Sequence, residues 1–315
     1  MSELVGRLPA RRLGAALVSL VLAAFLTVGA IGVWRYGWNY WLYRGFPPPQ
    51  DPGFVKHRGA TETFSLSSPA LGGRSKTVYV YLPPGYKSHP ARRYPVAYLL
   101  HGIPGRPTAF LFTVRAGVVE DILVATHKAR PMILVMPYGS TGTFTDKEWA
   151  NGIRPGEGWE TFVARDLVRA IDARYRTIPR GSARALIGLS EGGYGALNIG
   201  LHHPGEFGVL ESWSGYQRAD PISSIFGGHP QLLAHNSPLL TLHHVARTLR
   251  RHHTFIWFYS ATRDHFHQQN AVFAHELARA RIAYHYFAVK GGHNWALWRG
   301  QASNALLAAA RRIGA

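Results

Sequence analysis

The chain has 315 residues, 46% hydrophobic and 17% charged, with 34 glycines, 20 prolines and no cysteine. Fifteen Phe, fifteen Tyr and nine Trp exclude a disordered chain, and the absent cysteines exclude a thiol nucleophile, thiolate metal sites and a disulfide scaffold. Thirty-five Lys and Arg against seventeen Asp and Glu leave a net charge of +18, a balance that favours polyanionic surroundings: an anionic leaflet, acidic wall polymers or nucleic acid.

The first element predicted in chain order is a membrane-crossing helix. Residues 13–33 carry no charge, and at 1.5 Å per residue they span roughly 30 Å, the thickness of a bilayer's hydrocarbon core. Arg7, Arg11 and Arg12 precede the run, and Trp34, Tyr36, Trp38, Tyr40, Trp41 and Tyr43 follow it as interfacial aromatics. This reads as a signal-anchor at 13–33 with a cytoplasmic tail at 1–12 and the large C-terminal part outside the cytoplasm. Arg35 and Arg44 make the positive-inside bias small. A secretory signal cleaved near Val28-Gly29-Ala30 is the alternative, although the apolar run exceeds the usual signal core, and a buried soluble helix is a third. Residues 34–53, aromatic and then Pro-rich, are predicted to link membrane and domain, with the catalytic domain at 54–315.

From residue 61 the pattern becomes that of strands and helices in alternation. Residues 61–66 and 77–82 flank Leu71-Gly72-Gly73-Arg74 and predict an antiparallel opening pair. Apolar runs at 96–100, 132–136, 185–189 and 255–259 predict buried parallel strands, and 209–213 and 283–289 are strand-like as well. Phe162, Val163, Leu167, Ala170 and Ile171 recur at helical spacing opposite Arg165, Asp166, Arg169 and Arg174, so Asp166 and Asp172 are expected to be solvated. Residues 296–313 form a second amphipathic pattern. The predicted class is α/β, a mostly parallel central sheet with helices on both faces. Residues 216–253, rich in Gly, Pro, His and Ser, break the rhythm. They read equally as a cap insertion over the strand ends or as an irregular connection.

Gly188-Leu189-Ser190-Glu191-Gly192 matches G-x-S-x-G between an apolar strand and a helix-compatible run, the context of a nucleophile elbow. Gly188 and Gly192 would relieve collisions at the sharp turn that lifts Ser190 clear of the sheet. A serine hydroxyl needs a base, and at such elbows the chain order is Ser, acid, His. His293, beyond the strand-like run 283–289, is the predicted base. Asp264, directly after the run 255–259, is the favoured acid, with Asp220 its rival. The oxyanion requires two backbone donors: Glu191 N–H, and Ile103 N–H from the loop His101-Gly102-Ile103-Pro104, because Pro104 has none. Seventeen histidines invite a metal reading, yet His275-Glu276-Leu277-Ala278-Arg279 lacks the second histidine of a zinc-binding helix. No metal and no cofactor are expected.

These segments, with Tyr81-Leu82-Pro83-Pro84-Gly85-Tyr86, Tyr98-Leu99-Leu100-His101-Gly102, Trp159-Glu160-Thr161-Phe162, Ile171-Asp172-Ala173-Arg174-Tyr175 and Gly292-His293, resemble the esterase D-like branch of the α/β-hydrolases. That group includes feruloyl esterases and mycobacterial mycolyltransferases. The resemblance implies an α/β-hydrolase fold, a Ser190–Asp264–His293 triad, and Ile103 and Glu191 amides as the oxyanion hole. One departure stands out: the group often has Met after the serine, where this chain has Glu191. A carboxylate there suits the helix N-terminus but opposes an oxyanion, so it is expected either to turn away or to meet a cationic or hydroxyl-rich part of the substrate.

The expectation is therefore a membrane-anchored serine esterase acting on an ester of lipid or envelope glycan. An acyltransferase using an envelope sugar or lipid acceptor, and a catalytically silent wall- or lipid-binding module, are the alternatives. Anionic lipid or wall polymer is the expected partner of the positive charge. Nucleic acid is not, since no nucleic-acid module is recognised.

Overall fold

The protein, a computed structural model, is described over residues 10–140, 142, 145 and 147–313, so the expected cytoplasmic tail lies outside the described residues up to residue 9. It divides into two compact units, one ending at Pro47 and the other beginning at Pro48.

The first unit is one helix, α1 (Ala10–Tyr43), 34 residues long. From Gly14 to Tyr43 it is long and apolar enough to cross a membrane, with a mean hydropathy of 2.5 in its most apolar stretch. Where the sequence predicted a linker from residue 34, the helix continues for ten further residues. No proline lies between Trp34 and Tyr43, and Trp34 stacks on Trp38 one turn later at 6.1 Å. The helix ends where Arg44 and Gly45 take positive φ, ahead of Pro47.

The second unit is built on an eight-stranded sheet of order β1-β2-β4-β3-β5-β6-β7-β8. β1 (Ala60–Ser67) and β2 (Ser75–Leu82) form the expected antiparallel pair, and β2 pairs antiparallel with β4 (Ile133–Pro137). From β4 onward β3 (Val96–Leu100), β5 (Arg184–Leu189), β6 (Val209–Trp213), β7 (Phe255–Ala261) and β8 (Ala283–Val289) are parallel.

Alternate strand residues feed two cores, one on each face. Ala97, Leu99, Ile187 and Trp257 pack with α2 (Thr108–Phe112), α3 (Ala116–Ala125) and the C-terminal helix, while Tyr98, Leu100, Leu186 and Phe258 pack on the other side. That opposite layer opens with α4 (Trp159–Thr161), a wide π-helical turn at Phe162–Leu167, and α5 (Val168–Arg174). It continues with α6 (Glu191–His202), α7 (Pro230–His235), α8 (Pro238–Arg251) and α9 (His267–Arg279); α10 (Trp295–Ile313) closes the first layer.

One of the two readings of the segment 216–253, the irregular connection, and the expectation for two acidic residues are corrected. The segment 216–253 contains two helices, each with a proline in its first turn, and α8 buries Leu242, Ala246 and Leu249 on one face, a helical spacing hidden among its histidines and arginines. Asp166 and Asp172 are structural rather than solvated. Asp166 accepts hydrogen bonds from Ser68 Oγ and Ala70 N–H at the turn between β1 and β2, and Asp172 accepts from Thr177 Oγ1 at 2.6 Å and pairs with Arg184 at 2.5 Å.

Glu160 ties α4 to the C-terminal end of α6. His202 and His203 bond its carboxylate at 2.8 and 2.9 Å, and His202 stacks on His235 of α7 at 4.3 Å. Burial alone would raise the Glu160 pKa and lower that of His202. Bonds from His202 and His203 override burial at Glu160, bringing it to about 2, and the Glu160 carboxylate with the His235 carbonyl overrides it at His202, raising that pKa above 6.5. The carboxylate's contribution to stability is complete above 4.5 and lost as pH falls through about 2; the imidazolium's is complete below 6.5 and lost as pH rises through its raised value. Glu160→Gln is therefore expected to cost on the order of 2 kcal/mol near pH 5.5, and less at pH 9, by urea denaturation.

Candidate active site

The carboxyl ends of five parallel strands, β3 and β5 to β8, converge on one cavity. β5 turns into α6 at Ser190, whose φ of 54° and ψ of −125° lie outside the regions open to most L-residues. The flanking glycines allow it. A methyl group at Gly188 would stand 1.9 Å from the Gly192 carbonyl oxygen, and one at Gly192 would stand 2.0 Å from the Leu100 carbonyl oxygen of β3. Gly188 thus gives way to the turn itself and Gly192 to the neighbouring strand.

The structure brings Ser190, His293 and Asp264 together. Ser190 Oγ lies 2.8 Å from His293 Nε2, and His293 Nδ1 lies 2.7 Å from Asp264 Oδ2. Asp264 follows β7 and His293 follows β8, adjacent parallel strands in register up to Ala261 and Val289. The Asp264 side chain is fully buried, which alone would raise its pKa. Hydrogen bonds from His293, from Phe266 N–H at 3.0 Å and from Ser214 Oγ at 2.5 Å outweigh burial and hold it below the ordinary carboxylate value. An ionised Asp264 only accepts, so the imidazole proton sits on Nδ1 and Nε2 is left to accept from Ser190. The rival Asp220 lines the same cavity but accepts from Ile222 N–H, and it is Asp264 that bonds the imidazole.

Ile103 and Glu191 line the cavity beside Ser190 and His293. A methyl group at Gly102 would lie 2.9 Å from Ser190 Cβ, so the His101–Ile103 loop runs directly against the elbow. Both candidate donor peptides are anchored by their carbonyls. The Ser190 carbonyl, of the peptide carrying the Glu191 amide, accepts from Gly193 and Tyr194 N–H at 2.8 and 3.1 Å. The Gly102 carbonyl, of the peptide carrying the Ile103 amide, bonds His101 Nδ1 at 2.9 Å. His101 is fully buried, and burial first, then the Lys147 charge, holds its pKa well below the ordinary value despite that bond. The neutral ring accepts Gly139 N–H at Nε2, so its proton lies on Nδ1 and is donated to Gly102. In a trans peptide the N–H points opposite its carbonyl, so both anchors fix the direction of an amide.

The Glu191 carboxylate is held in a buried ion pair with Lys147 at 2.6 Å. Sequence reasoning missed Lys147, Ser214, and the role of His101. Only Ser214 carried a signal, as a small hydroxyl residue at the end of β6 next to the strand bearing the acid.

The cavity measures about 990 Å³. Its lining includes apolar residues of α7 and α8, Pro230, Leu233, Ala234 and Leu240, and the polar residues Glu148, Arg218, Asp220 and Gln269. Phe266 and Trp298 pack edge-on against the His293 ring at 5.6 and 4.9 Å.

Residues 68–309 match the Esterase family, described as "Putative esterase". Over 176 residues the chain is 36% identical to an endo-1,4-beta-xylanase/feruloyl esterase of Xylanibacter ruminicola, covering 53% of this chain and 24% of that protein. Over 143 residues it is 33% identical to an esterase of Mycobacterium tuberculosis, covering 45% of this chain and 30% of that one. The chain thus spans less than a third of the length of either relative. A solved ferulic acid esterase superposes with a TM-score of 0.73 at 25% identity, covering 81% of this chain and 99% of that structure. Sheet order and superposition agree on the α/β-hydrolase fold.

Asp264's contribution to stability is complete above its ordinary value of 3.8 and lost as pH falls through its lowered folded value. Ser214→Ala removes one of the bonds that lower it. The substitution is expected to cost about 2 kcal/mol at pH 7 and progressively less as pH falls below 3.8, compared by urea unfolding at pH 7 and in that acidic range. An equal cost at both would mean that Ser214 acts through packing alone.

Proposed function

This chain belongs to the Esterase family, the esterase D-like branch of the α/β-hydrolases, and from that premise we propose that it is a serine esterase anchored in a membrane by α1. The reading is carried by the continuous hydrogen-bonded path from Ser190 Oγ through His293 to Asp264 at the edge of a cavity large enough for a substantial ester.

The steps follow from that path. Ser190 Oγ attacks the ester carbonyl carbon while His293 Nε2 takes its proton, and Asp264 stabilises the imidazolium so formed. The carbonyl oxygen becomes an anion received by the Ile103 and Glu191 amides. The tetrahedral intermediate collapses, the alcohol leaves with the proton from His293, and an acyl-serine remains. Water then attacks with His293 again as base, releasing the acid and restoring the serine.

The apolar lining from α7 and α8 supports an apolar or aromatic acyl group, and the segment 216–253 acts as the cap that shapes it. The names of two relatives, both feruloyl or ferulic acid esterases, make hydroxycinnamoyl esters the first substrates to test. A second reading draws on the polar residues of the lining: Glu148, Arg218, Asp220 and Gln269 offer partners to a sugar hydroxyl, which would make the enzyme an acyltransferase. Product analysis with and without a sugar acceptor separates the two. The apolar α1 and the charge of +18 support an extracytoplasmic catalytic unit beside anionic lipid or wall polymer, acting on an ester of lipid or envelope glycan.

Ser190→Ala is expected to abolish labelling by a fluorophosphonate probe and to lower kcat/KM on an activated ester at least about 10³-fold. Persistent labelling would reject Ser190 as the nucleophile. Deleting residues 1–47 is expected to move the protein from the membrane to the soluble fraction, with kcat/KM within about threefold of the full chain. Retention in the membrane fraction would reject α1 as the anchor.

A further inference from the structure

A carboxylate one residue from the nucleophile, on the residue whose amide receives the oxyanion, works against the reaction unless compensated. Glu191 is such a residue, and its side chain is 1% exposed. Lys147, itself 2% exposed, holds it from two directions. Its Nζ lies 2.6 Å from Oε2, and its backbone N–H donates to Oε1 at 3.2 Å, joined there by Glu148 N–H at 2.9 Å.

The segment that makes these bonds is contorted. Glu148 and Trp149 both have a φ of 49°, a left-handed conformation that large side chains keep only when the surroundings impose it. Held in this way, the segment delivers the fully buried Trp149 to the other side of the site. Lys147 Nζ lies 4.8 Å from the centre of the Trp149 ring, the indole N–H donates to the His101 carbonyl at 2.9 Å, and the ring packs edge-on against the His101 imidazole at 5.3 Å. His101 in turn bonds the peptide that carries the Ile103 amide. One buried network thus runs from the first candidate oxyanion donor to the second, with Lys147 between them.

We propose that Lys147 is a positioning residue. Its ion pair with Glu191 neutralises the carboxylate beside the oxyanion hole and fixes the 147–149 segment, which ties the Glu191 amide to the loop bearing the Ile103 amide. Lys147 touches no reacting atom. It acts by keeping two amides aimed at one point, so its loss falls on the transition state and spares substrate binding. The proposal rests on Ser190 being the nucleophile, which Ser190→Ala tests separately.

The experiment uses the full chain in detergent, a p-nitrophenyl ester, and an alkyl boronic acid whose tetrahedral serine adduct presents an oxygen anion to the two amides. Lys147→Met is expected to lower kcat at least about 10-fold with KM within about threefold, and to weaken the boronic acid by the same factor as kcat/KM. Lys147→Arg, which keeps the charge, should recover at least about threefold of that loss. A kcat within about twofold of wild type, or a boronic acid affinity unchanged while kcat/KM falls, overturns the proposal. Should Lys147→Met fail to fold, the double variant Lys147→Met/Glu191→Met, which leaves no unpaired charge, takes its place. There a kcat at least about threefold below wild type, with boronic acid affinity falling in step, supports the role, and any smaller effect on either overturns it. A Ser190→Ala protein that still turned over ester would instead reject the nucleophile, a result no Lys147 variant can mimic.

Discussion

Ser190 can hold its backbone conformation only because two strands and a helix meet with no room for a side chain on either flank. The Gly192 position lies against the carbonyl that ends β3, and the Gly188 position against the carbonyl of Gly192 itself. Everything else in the site takes its place from this contact. The loop leaving β3 is pressed against the elbow, so its amide arrives beside the serine. The register of the parallel strands then sets Asp264 and His293 on neighbouring loops. A close backbone approach that excludes Cβ atoms therefore does more to locate the chemistry than any one hydrogen bond within it.

The polar groups behind the elbow follow a consistent rule. Each buried charge or ring nitrogen named in the site is matched to a group of opposite demand, and the matches orient peptides as well as satisfying them. His101 shows this most directly: burial keeps the ring neutral, neutrality leaves one nitrogen as acceptor and the other as donor, and the donor fixes a carbonyl whose peptide carries an amide of the site. Glu191 follows the same logic with a full charge, and its departure from the residue usual in the group is compensated by a lysine far away in sequence.

Much of this could be read from the chain before folding. Strand runs with near-continuous apolar character, and a glycine-flanked serine between a strand and a helix, are local patterns, and local patterns survive in sequence. The spacing of Ser190, Asp264 and His293 also survives, because the loops that carry them follow their strands directly. What was not legible depended on distance. Lys147 precedes Glu191 by 44 residues and lies in no periodic element, so nothing local marks it as a partner. The helices within 216–253 were obscured by histidine, arginine and proline, although three apolar positions in α8 do recur at helical spacing. Asp166 and Asp172 looked solvated because their helix face is charged. Their partners come from the turn after β1, from Thr177 and from the start of β5, positions that no helical pattern reveals.

The composition of α6 has a consequence for how the site comes into being. Four of its twelve residues are glycine, among them Gly192, Gly193 and Gly195 in its first two turns. Each costs about 1 kcal/mol relative to alanine in a helix, so this segment has little tendency to coil by itself. Its order rests on burial between the sheet and the helices that cover it, every residue from Glu191 to Leu201 being buried. The Ser190 geometry therefore depends on tertiary packing rather than on local helix propensity, and a chain lacking that core would not hold the elbow.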